Sequence, residues 1–403
     1  MTAASPSAHI RYATRLAALR ADEAFLPPVV QAAEWLGLPA CDGRFQRDYA
    51  RFHPHREPFA TLVLRAPGES EPLLRVEAHE GRPSTRRGRE AVMASDAGWL
   101  RVTPFPGDPA LGSLPALLAR PGRHTVVRYR PYRRCTVRFD DANGSVFAKV
   151  FAERRGRRMR DEGARLWAAA ERGQLRFAVP RPERYDPAGR TLWQSCVAGR
   201  PVGEELKRGE GTALALRMGR ALASLAKAEL APRRLMTAAA MLSRSAWVGR
   251  SLTRSVPDVE RDVHELLARL RDAHAAAGAD RFPLTPVHGN PHAGQWVGDE
   301  GHLGLVDFDG LAAGHAELDA AAFLADLEFE DRARVPVEPL CAAFLAGYRE
   351  GEVALDAGLI AVHRAHRRLA KALRVAGSLR PDGDARARRH LKRALRELAE
   401  EVP

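Results

Sequence analysis

The side chains best suited to chemistry are concentrated in one stretch, Val287 to Gly310, which reads VHGNPHAGQWVGDEGHLGLVDFDG. A His-Gly-Asn turn (His288, Gly289, Asn290) is followed by Gln295 and a DEG turn, and then Leu305 and Val306 run into Asp307, Phe308 and Asp309. Short apolar runs between polar clusters predict loop, strand, turn and strand, with both clusters presented at strand ends. Carboxylate and amide oxygens grouped in this way are the donors a hard divalent cation takes.

Several elements must hold that stretch in place. Upstream, TVVRYRPYRRCTVRF, the turn DDANGS and VFAKVF predict two or three antiparallel strands joined at Asn143-Gly144. Lys149 sits in the last of these, flanked by Phe147, Ala148, Val150 and Phe151. An ammonium there either faces solvent from a half-buried strand or acts as a compact point charge for phosphate oxygens. The run from about Arg157 predicts a helix on which Glu162, Arg165 and Leu166 share a face. Glu162 could reach back to Lys149 or stand as one more charge on a solvated face. Leu175 to Val179 and Thr191 to Gln194 predict strands, and the second leads through Gly199, Arg200 and Pro201 as a hinge. Beyond it, amphipathic segments over 212–230, 233–250, 257–277, 318–330, 336–350 and 354–402 predict a helical half.

The first part of the chain reads differently. Residues 9–22 predict a helix, a second short helix follows Pro27-Pro28, and FATLVLR and LLRVEA predict a strand pair across a PGES turn. Residues 79–125 are rich in Gly, Pro and Arg. This gives an α+β organisation in three parts: an accessory α+β region over 1–122, a β-rich lobe over 123–198 and a helical lobe over 199–403.

Composition excludes several classes. With 403 residues, 45% of them hydrophobic, the chain can bury a sizeable core. The formal charge of +13 suggests an anionic partner, but only five of the 63 basic residues are Lys (Lys149, Lys207, Lys227, Lys371, Lys392). That Arg bias is a compositional habit and argues against nucleic acid as the partner. The four cysteines form no CxxC pair, so neither a zinc ribbon nor a disulfide framework is expected. No segment reaches the roughly 18 apolar residues of a membrane span, and the expected location is the cytoplasm. The sequence carries no signal for an oligomeric state.

A strand-borne Lys, a helix-borne Glu, a hinge, and a helical half containing HGN-PHAG-Q and LVDFDG together resemble the protein-kinase-like fold. More closely, they resemble the aminoglycoside phosphotransferase and choline kinase superfamily. GHAELDAAAFL is similar to that family's Gly-Asp-Pro-x-x-Asp-Leu segment and FLAGYRE to its C-terminal helix. The resemblance covers roughly 123–350 and implies two lobes, a small β-rich one and a large helical one. It further implies transfer of a phosphoryl group from ATP, with Mg²⁺, to a hydroxyl of a small molecule. Lys149 would hold nucleotide phosphates and Glu162 would hold Lys149. Asp307 would be the principal metal ligand, Gln295 would add a carbonyl oxygen and Asp309 would assist. Asn290 and His288 would form the catalytic loop, with His288 as a hydrogen-bonded loop element and Asp319 as its brace.

Three departures from the family pattern carry weight. The acceptor-orienting position, Asp in the family, is Asn290, whose neutral amide can hydrogen-bond a hydroxyl but cannot take its proton. General-base assistance is worth about 10²- to 10⁴-fold, so a slow or unusual enzyme is expected. His315 stands where an Asp is usual, and PYRR (131–134) occupies the place of a Gly-rich loop. The other reading is a pseudokinase, a binding or scaffold module for a peptide or partner enzyme. Acidic residues on the variable helices (Asp258, Glu260, Asp262, Glu328, Glu330, Asp331) either meet a cationic acceptor or form solvated ion pairs.

Overall fold

The structure is a computed structural model that describes residues 14–39, 41–53, 56–85, 88–142, 144–207, 211–278, 282–299, 301–329 and 336–401. Asn143, Glu330 and Asp331 therefore lie outside the described residues. Two antiparallel sheets occupy the N-terminal half and helices dominate the C-terminal half, an α+β arrangement. No helix among the described residues is long and apolar enough to cross a membrane.

The first sheet contains β1 (Gln46–Phe52), β2 (Ala60–Arg65), β3 (Leu74–His79), β4 (Ala91–Ser95) and β5 (Gly98–Pro104), in the order β1-β2-β3-β5-β4. Strand alternation sends Leu62 and Leu64 to one face, where they pack with Phe25, Val29, Ala32 and Ala33 of helix α1 (Asp22–Trp35). Val63 faces the other way, into a cluster shared with Leu114 and Leu117 of the short helix α2 (Leu114–Leu118) and with the second sheet. The first sheet is thus packed on both sides, which explains why β2 and β3 are buried almost throughout. Helix α1 begins before Pro27 and Pro28 and carries both inside it, where the sequence predicts a new start after them. The region 79–125, rich in Gly, Pro and Arg, contains the β4–β5 hairpin and α2.

The second sheet runs β6 (Arg123–Arg130), β7 (Arg134–Asp141), β8 (Gly144–Phe151), β9 (Pro182–Asp186) and β10 (Thr191–Ser195), in the order β6-β7-β8-β10-β9. Helix α3 (Arg155–Glu171) leaves the end of β8. The apolar run Leu175 to Val179 is a connection with a single parallel bridge, Ala178 to Gly304, and the partner of β10 is β9.

Helices α4 (Gly211–Lys227), α5 (Ala238–Ser255), α6 (Glu260–Ala276), α7 (Ala316–Phe329), α8 (Val337–Glu350), α9 (Ala357–Ala376) and α10 (Gly383–Glu401) build the rest. Short strands β11 (Arg200–Pro201), β12 (Leu235–Met236), β13 (Thr285–Val287), β14 (Trp296–Gly298), β15 (Leu303–Leu305) and β16 (Ala312–Gly314) pair among them. Gly219 of α4 and Gly347 of α8 let those helices meet backbone to backbone, since a Cβ at either position would strike the carbonyl of Phe344 or Leu216. The segment 354–402, which reads as one helix, is two helices broken at Gly377 to Asp382 and folded against each other.

Four of the buried histidines, His274, His315, His363 and His366, lie close together in the helical half. His274 Nε2 and His366 Nε2 are 2.8 Å apart, Ser245 Oγ lies 2.6 Å from His366 Nδ1, and His315 Nδ1 lies 3.4 Å from His363 Nε2. Burial, with the neighbouring His274, pushes His366 down to about 3, and burial likewise holds His363 well below its ordinary value. A free histidine titrates near about 6.5, so between roughly pH 6.5 and 3 the unfolded chain binds more protons than the folded one. Stability is therefore complete above that window and falls as the pH drops through it, by up to about 1.4 kcal/mol per pH unit for each histidine. Denaturant midpoints measured from pH 7 to pH 4 should fall steadily, and His366→Gln, which cannot charge, should flatten the fall. An unchanged slope would contradict this origin of acid lability.

Candidate functional site

Lys149 lies on the central strand β8, paired across to Thr136 of β7 and Leu192 of β10, and is 8% exposed. Its Nζ donates to Asp307 Oδ1 and to Asp309 Oδ1, each at 3.1 Å. Asp307 follows the end of β15 in the left-handed region, with φ 68, a conformation Asp tolerates better than most residues. That single residue turns the chain from the strand into the short 3₁₀ turn Phe308–Gly310 and brings both carboxylates to face Lys149.

Arg134, the first residue of β7, completes the group. Its Nη1 donates to Asp307 Oδ1 at 3.2 Å and its Nη2 to Asp307 Oδ2 at 3.1 Å, a bidentate fork, and it also contacts Asp309. Burial opposes ionisation of Asp307, but the Lys149 and Arg134 charges outweigh it and hold the carboxyl well below the usual range. Burial lowers the Lys149 ammonium in turn, against the pull of Asp307. Arg134 has no assigned role in the sequence reading; its only local mark is its place in PYRR, beside the turn that would lie over phosphates.

The loop containing Arg134 is set by the accessory region. Asp108 Oδ2 accepts from Tyr129 Oη at 2.8 Å and from the Tyr132 backbone N–H at 2.9 Å, while Arg75 stacks 4.8 Å from the Tyr132 ring. Tyr132 is thereby kept at φ 59 immediately before Arg133 and Arg134.

Glu162 is on α3, 6% exposed, and lines the same cleft as Lys149, Gln194, Asp307 and Asp309. It does not hold Lys149. Its Oε2 lies 3.8 Å from Arg158 Nε one helical turn away, and its Oε1 has no hydrogen-bond partner. Two carboxylates at hydrogen-bond distance engage the ammonium instead. Gln295, in the 3₁₀ turn Ala293–Gln295, is buried with Nε2 at 3.5 Å from Asp307 Oδ2, and its Oε1 has no partner.

His288, Gly289 and Asn290 follow β13. Asp319 of α7 accepts from the His288 N–H at 2.6 Å and the Gly289 N–H at 2.7 Å, so it braces the loop from below. Burial pushes the Asp319 carboxyl up to about 7 against those two donors. Gly289 has φ 83, and a Cβ on it would stand 2.7 Å from the Gly310 carbonyl oxygen, so the loop and the 3₁₀ turn touch through glycine. His288 Nε2 lies 3.1 Å from the Val306 carbonyl and its Nδ1 3.3 Å from the Asn290 N–H. These contacts assign the proton to Nε2 and occupy both ring nitrogens. Burial, pushing the ring down to about 4, keeps it neutral. His288 is therefore a link between the loop and the strand that leads to Asp307, and not a base in this arrangement. Asn290 is half-buried beside it.

The acidic residues of the variable helices that the structure describes include two engaged by arginines. Asp258 pairs with Arg388, and Glu328 with Arg364, Arg368 and Arg393.

A Lys-bearing sheet packed over a helical half, with a His-Gly-Asn loop and an Asp-ended strand between them, defines a kinase-like phosphotransferase architecture. The chain belongs to the phosphotransferase enzyme family, whose model matches residues 132–357. No curated protein matches it. Among solved structures it is similar to a choline/ethanolamine kinase family protein from Mesorhizobium loti (17% identity, 72% of this chain and 95% of that one, TM-score 0.51). It is also similar to amicoumacin kinase hAmiN in complex with AMP-PNP, Ca²⁺ and Ami (18%, 73% and 95%, TM-score 0.53) and to choline kinase LicA from Streptococcus pneumoniae (10%, 70% and 95%, TM-score 0.51). At these identities the likeness is one of fold.

The donor set fits a divalent cation in part. Asp307, Asp309 and the unpartnered Gln295 carbonyl oxygen are all hard oxygens. Among the described residues no group of three or more His, Cys, Asp or Glu side chains could hold an ion alone, so nucleotide phosphates and water would have to supply further ligands. Arg134 competes directly, because its fork covers both Asp307 oxygens. In calorimetric titrations of Mg²⁺ into the chain, Arg134→Ala should tighten binding by about tenfold, equivalent to roughly 1.4 kcal/mol. Unchanged or weaker binding would show that Arg134 does not oppose the metal.

Proposed function

We propose that the protein is an ATP- and Mg²⁺-dependent phosphotransferase acting on a hydroxyl of a small molecule, slowed by Asn290. The observation that carries this reading is the convergence of Lys149, Asp307 and Asp309 at 3.1 Å beside an unpartnered Gln295 carbonyl oxygen. Phosphoryl transfer asks a protein mainly for positioning and charge neutralisation. Lys149 would neutralise phosphate oxygens, while Asp307, Gln295 and Asp309 would hold the divalent ion. That ion, when bound, would offset the negative charge of the nucleotide phosphates. Asn290, fixed by the His288–Asp319 brace, could orient an acceptor hydroxyl without removing its proton. The loose transition state lets such a site work with late proton loss, at a rate reduced by about 10²- to 10⁴-fold. The reading for Glu162 is a neighbour of the phosphate site rather than a partner of Lys149.

Arg134 favours a second reading. With its fork on Asp307 and its contact to Asp309, the carboxylates are already neutralised, as suits a pseudokinase that binds a peptide or partner enzyme and does not turn over.

ADP release with Mg²⁺-ATP and a panel of hydroxyl acceptors, run on the wild type and on Asn290→Asp, separates the two. The enzyme reading expects slow acceptor-dependent release that rises by about tenfold or more in Asn290→Asp. No release from either protein would favour the binding module.

A further inference from the structure

The turn between β6 and β7 offers a ligand no backbone donor from its central residues. Pro131 has no N–H, the Tyr132 N–H is given to Asp108 Oδ2 at 2.9 Å, and the Arg133 N–H is given to the Arg130 carbonyl at 3.1 Å. In a kinase-like site a glycine-rich turn covers the nucleotide phosphates, and free backbone N–H groups are what such anion-binding turns present. Here those groups are spent inside the protein.

Side-chain donors gather at the same place. Strand register sets Arg130 directly opposite Arg134, and Thr136 opposite Lys149, so Arg130, Arg134 and Lys149 share one face of the second sheet. Like charges facing each other across two strands are destabilising. Arg134, with its side chain 11% exposed, reaches Asp307 through both Nη groups, while its Nε is buried and has no hydrogen-bond partner.

One carboxylate oxygen serves two cations, since Asp307 Oδ1 accepts from Lys149 at 3.1 Å and from Arg134 at 3.2 Å. If a divalent ion takes the Asp307 oxygens, Arg134 is left as a buried guanidinium without its partner, which is costly until another anion replaces it. Phosphate oxygens match the guanidinium fork in spacing and charge.

The accessory region fixes where that fork starts. Asp108, itself buried, also accepts from Tyr129 Oη at 2.8 Å, and Arg75 lies 3.7 Å from Asp108 and 4.8 Å from the Tyr132 ring. These contacts hold Tyr132 at φ 59, two residues before Arg134. Asp108 lies outside the matched residues 132–357.

We infer that Arg134 is a nucleotide-phosphate ligand, replacing with side-chain donors the backbone donors that the β6–β7 turn lacks, and that Asp108 is its positioning residue. Arg134 exchanges the Asp307 oxygens for phosphate oxygens when nucleotide and divalent ion bind. This rests on the phosphotransferase reading above and gives the accessory region a part in nucleotide binding.

The test titrates the full chain calorimetrically with AMP-PNP and with adenosine, both at saturating Mg²⁺ so that competition between Arg134 and the metal no longer contributes. Thermal unfolding checks the fold of each variant. Arg134→Ala should weaken AMP-PNP binding by about tenfold or more, the effect of losing a charge-assisted fork, and leave adenosine, which has no phosphate, unchanged. Arg134→Lys, which keeps the charge without the fork, should recover part of the loss. Asp108→Asn, whose amide nitrogen cannot accept, should also weaken AMP-PNP, but should add nothing once Arg134 is Ala. The control Arg388→Gln, which only breaks the exposed Asp258 pair, should bind as the wild type does. A wild type that binds no AMP-PNP would remove the phosphotransferase reading and this inference with it. AMP-PNP binding by the wild type that is undiminished in Arg134→Ala, or lost there in parallel with adenosine, would keep that reading and overturn the inference. An Asp108→Asn effect of equal size with and without Arg134 would overturn the positioning role.

Discussion

The meeting of two cations from the sheet with two carboxylates from the helical half is the interaction on which the site depends. Lys149 and Arg134 enter from neighbouring strands, while Asp307 is itself the left-handed residue and Asp309 follows it in the 3₁₀ turn. Charges taken from water persist only when paired with good geometry, and removal of one partner leaves the others exposed to the full desolvation penalty. The group is therefore both an adhesive between the halves and a reservoir of charge that phosphates and a divalent ion could draw upon. On the proposed phosphotransferase reading, Arg134 would have to release the two Asp307 oxygens before a divalent ion could take them.

The remaining architecture reads as support for this cluster. Asp108 and Tyr132 hold the turn before Arg134, so the accessory sheet acts on the site through one carboxylate and one backbone N–H. The accessory region also touches the far side of the helical half: Arg20 bonds to Asp384, Arg47 to the Leu379 carbonyl, and the Phe52 N–H to the Gly377 carbonyl. By contacting both halves it limits how far they can separate. Within the helical half, Asp319 ties α7 to the His-Gly-Asn loop, and the glycine contact between α4 and α8 fixes the platform beneath.

Much of the central block was legible because its signals are local. His288, Asn290, Gln295, Asp307 and Asp309 fall within one strand-turn-strand unit, and a lone Lys in an Arg-rich chain drew attention to Lys149. Arg134 was not legible for the converse reason: it is one arginine among many, and its importance arises from the φ of Asp307, far along the chain. Glu162 was expected from helical spacing and from the resemblance to reach Lys149, and helix geometry sets it against Arg158 instead. In the accessory region, the β4–β5 hairpin was obscured by surrounding Gly, Pro and Arg, although Asp96-Ala97-Gly98 is a turn signal between two short apolar runs. The division of 354–402 into two helices had a readable cue in Gly377, Pro381 and Gly383, outweighed by the strong helical periodicity on either side.

The central claim is that the Lys149–Asp307 pairing marks a nucleotide-metal site rather than a structural ion pair. It is tested most directly by calorimetric titration of Mg²⁺-AMP-PNP into the wild type, Lys149→Met and Asp307→Asn, with the fold of each checked by thermal unfolding. The account predicts saturable binding by the wild type and a loss of about tenfold or more in each folded variant. Equal affinity in all three, or no binding by the wild type, would contradict it.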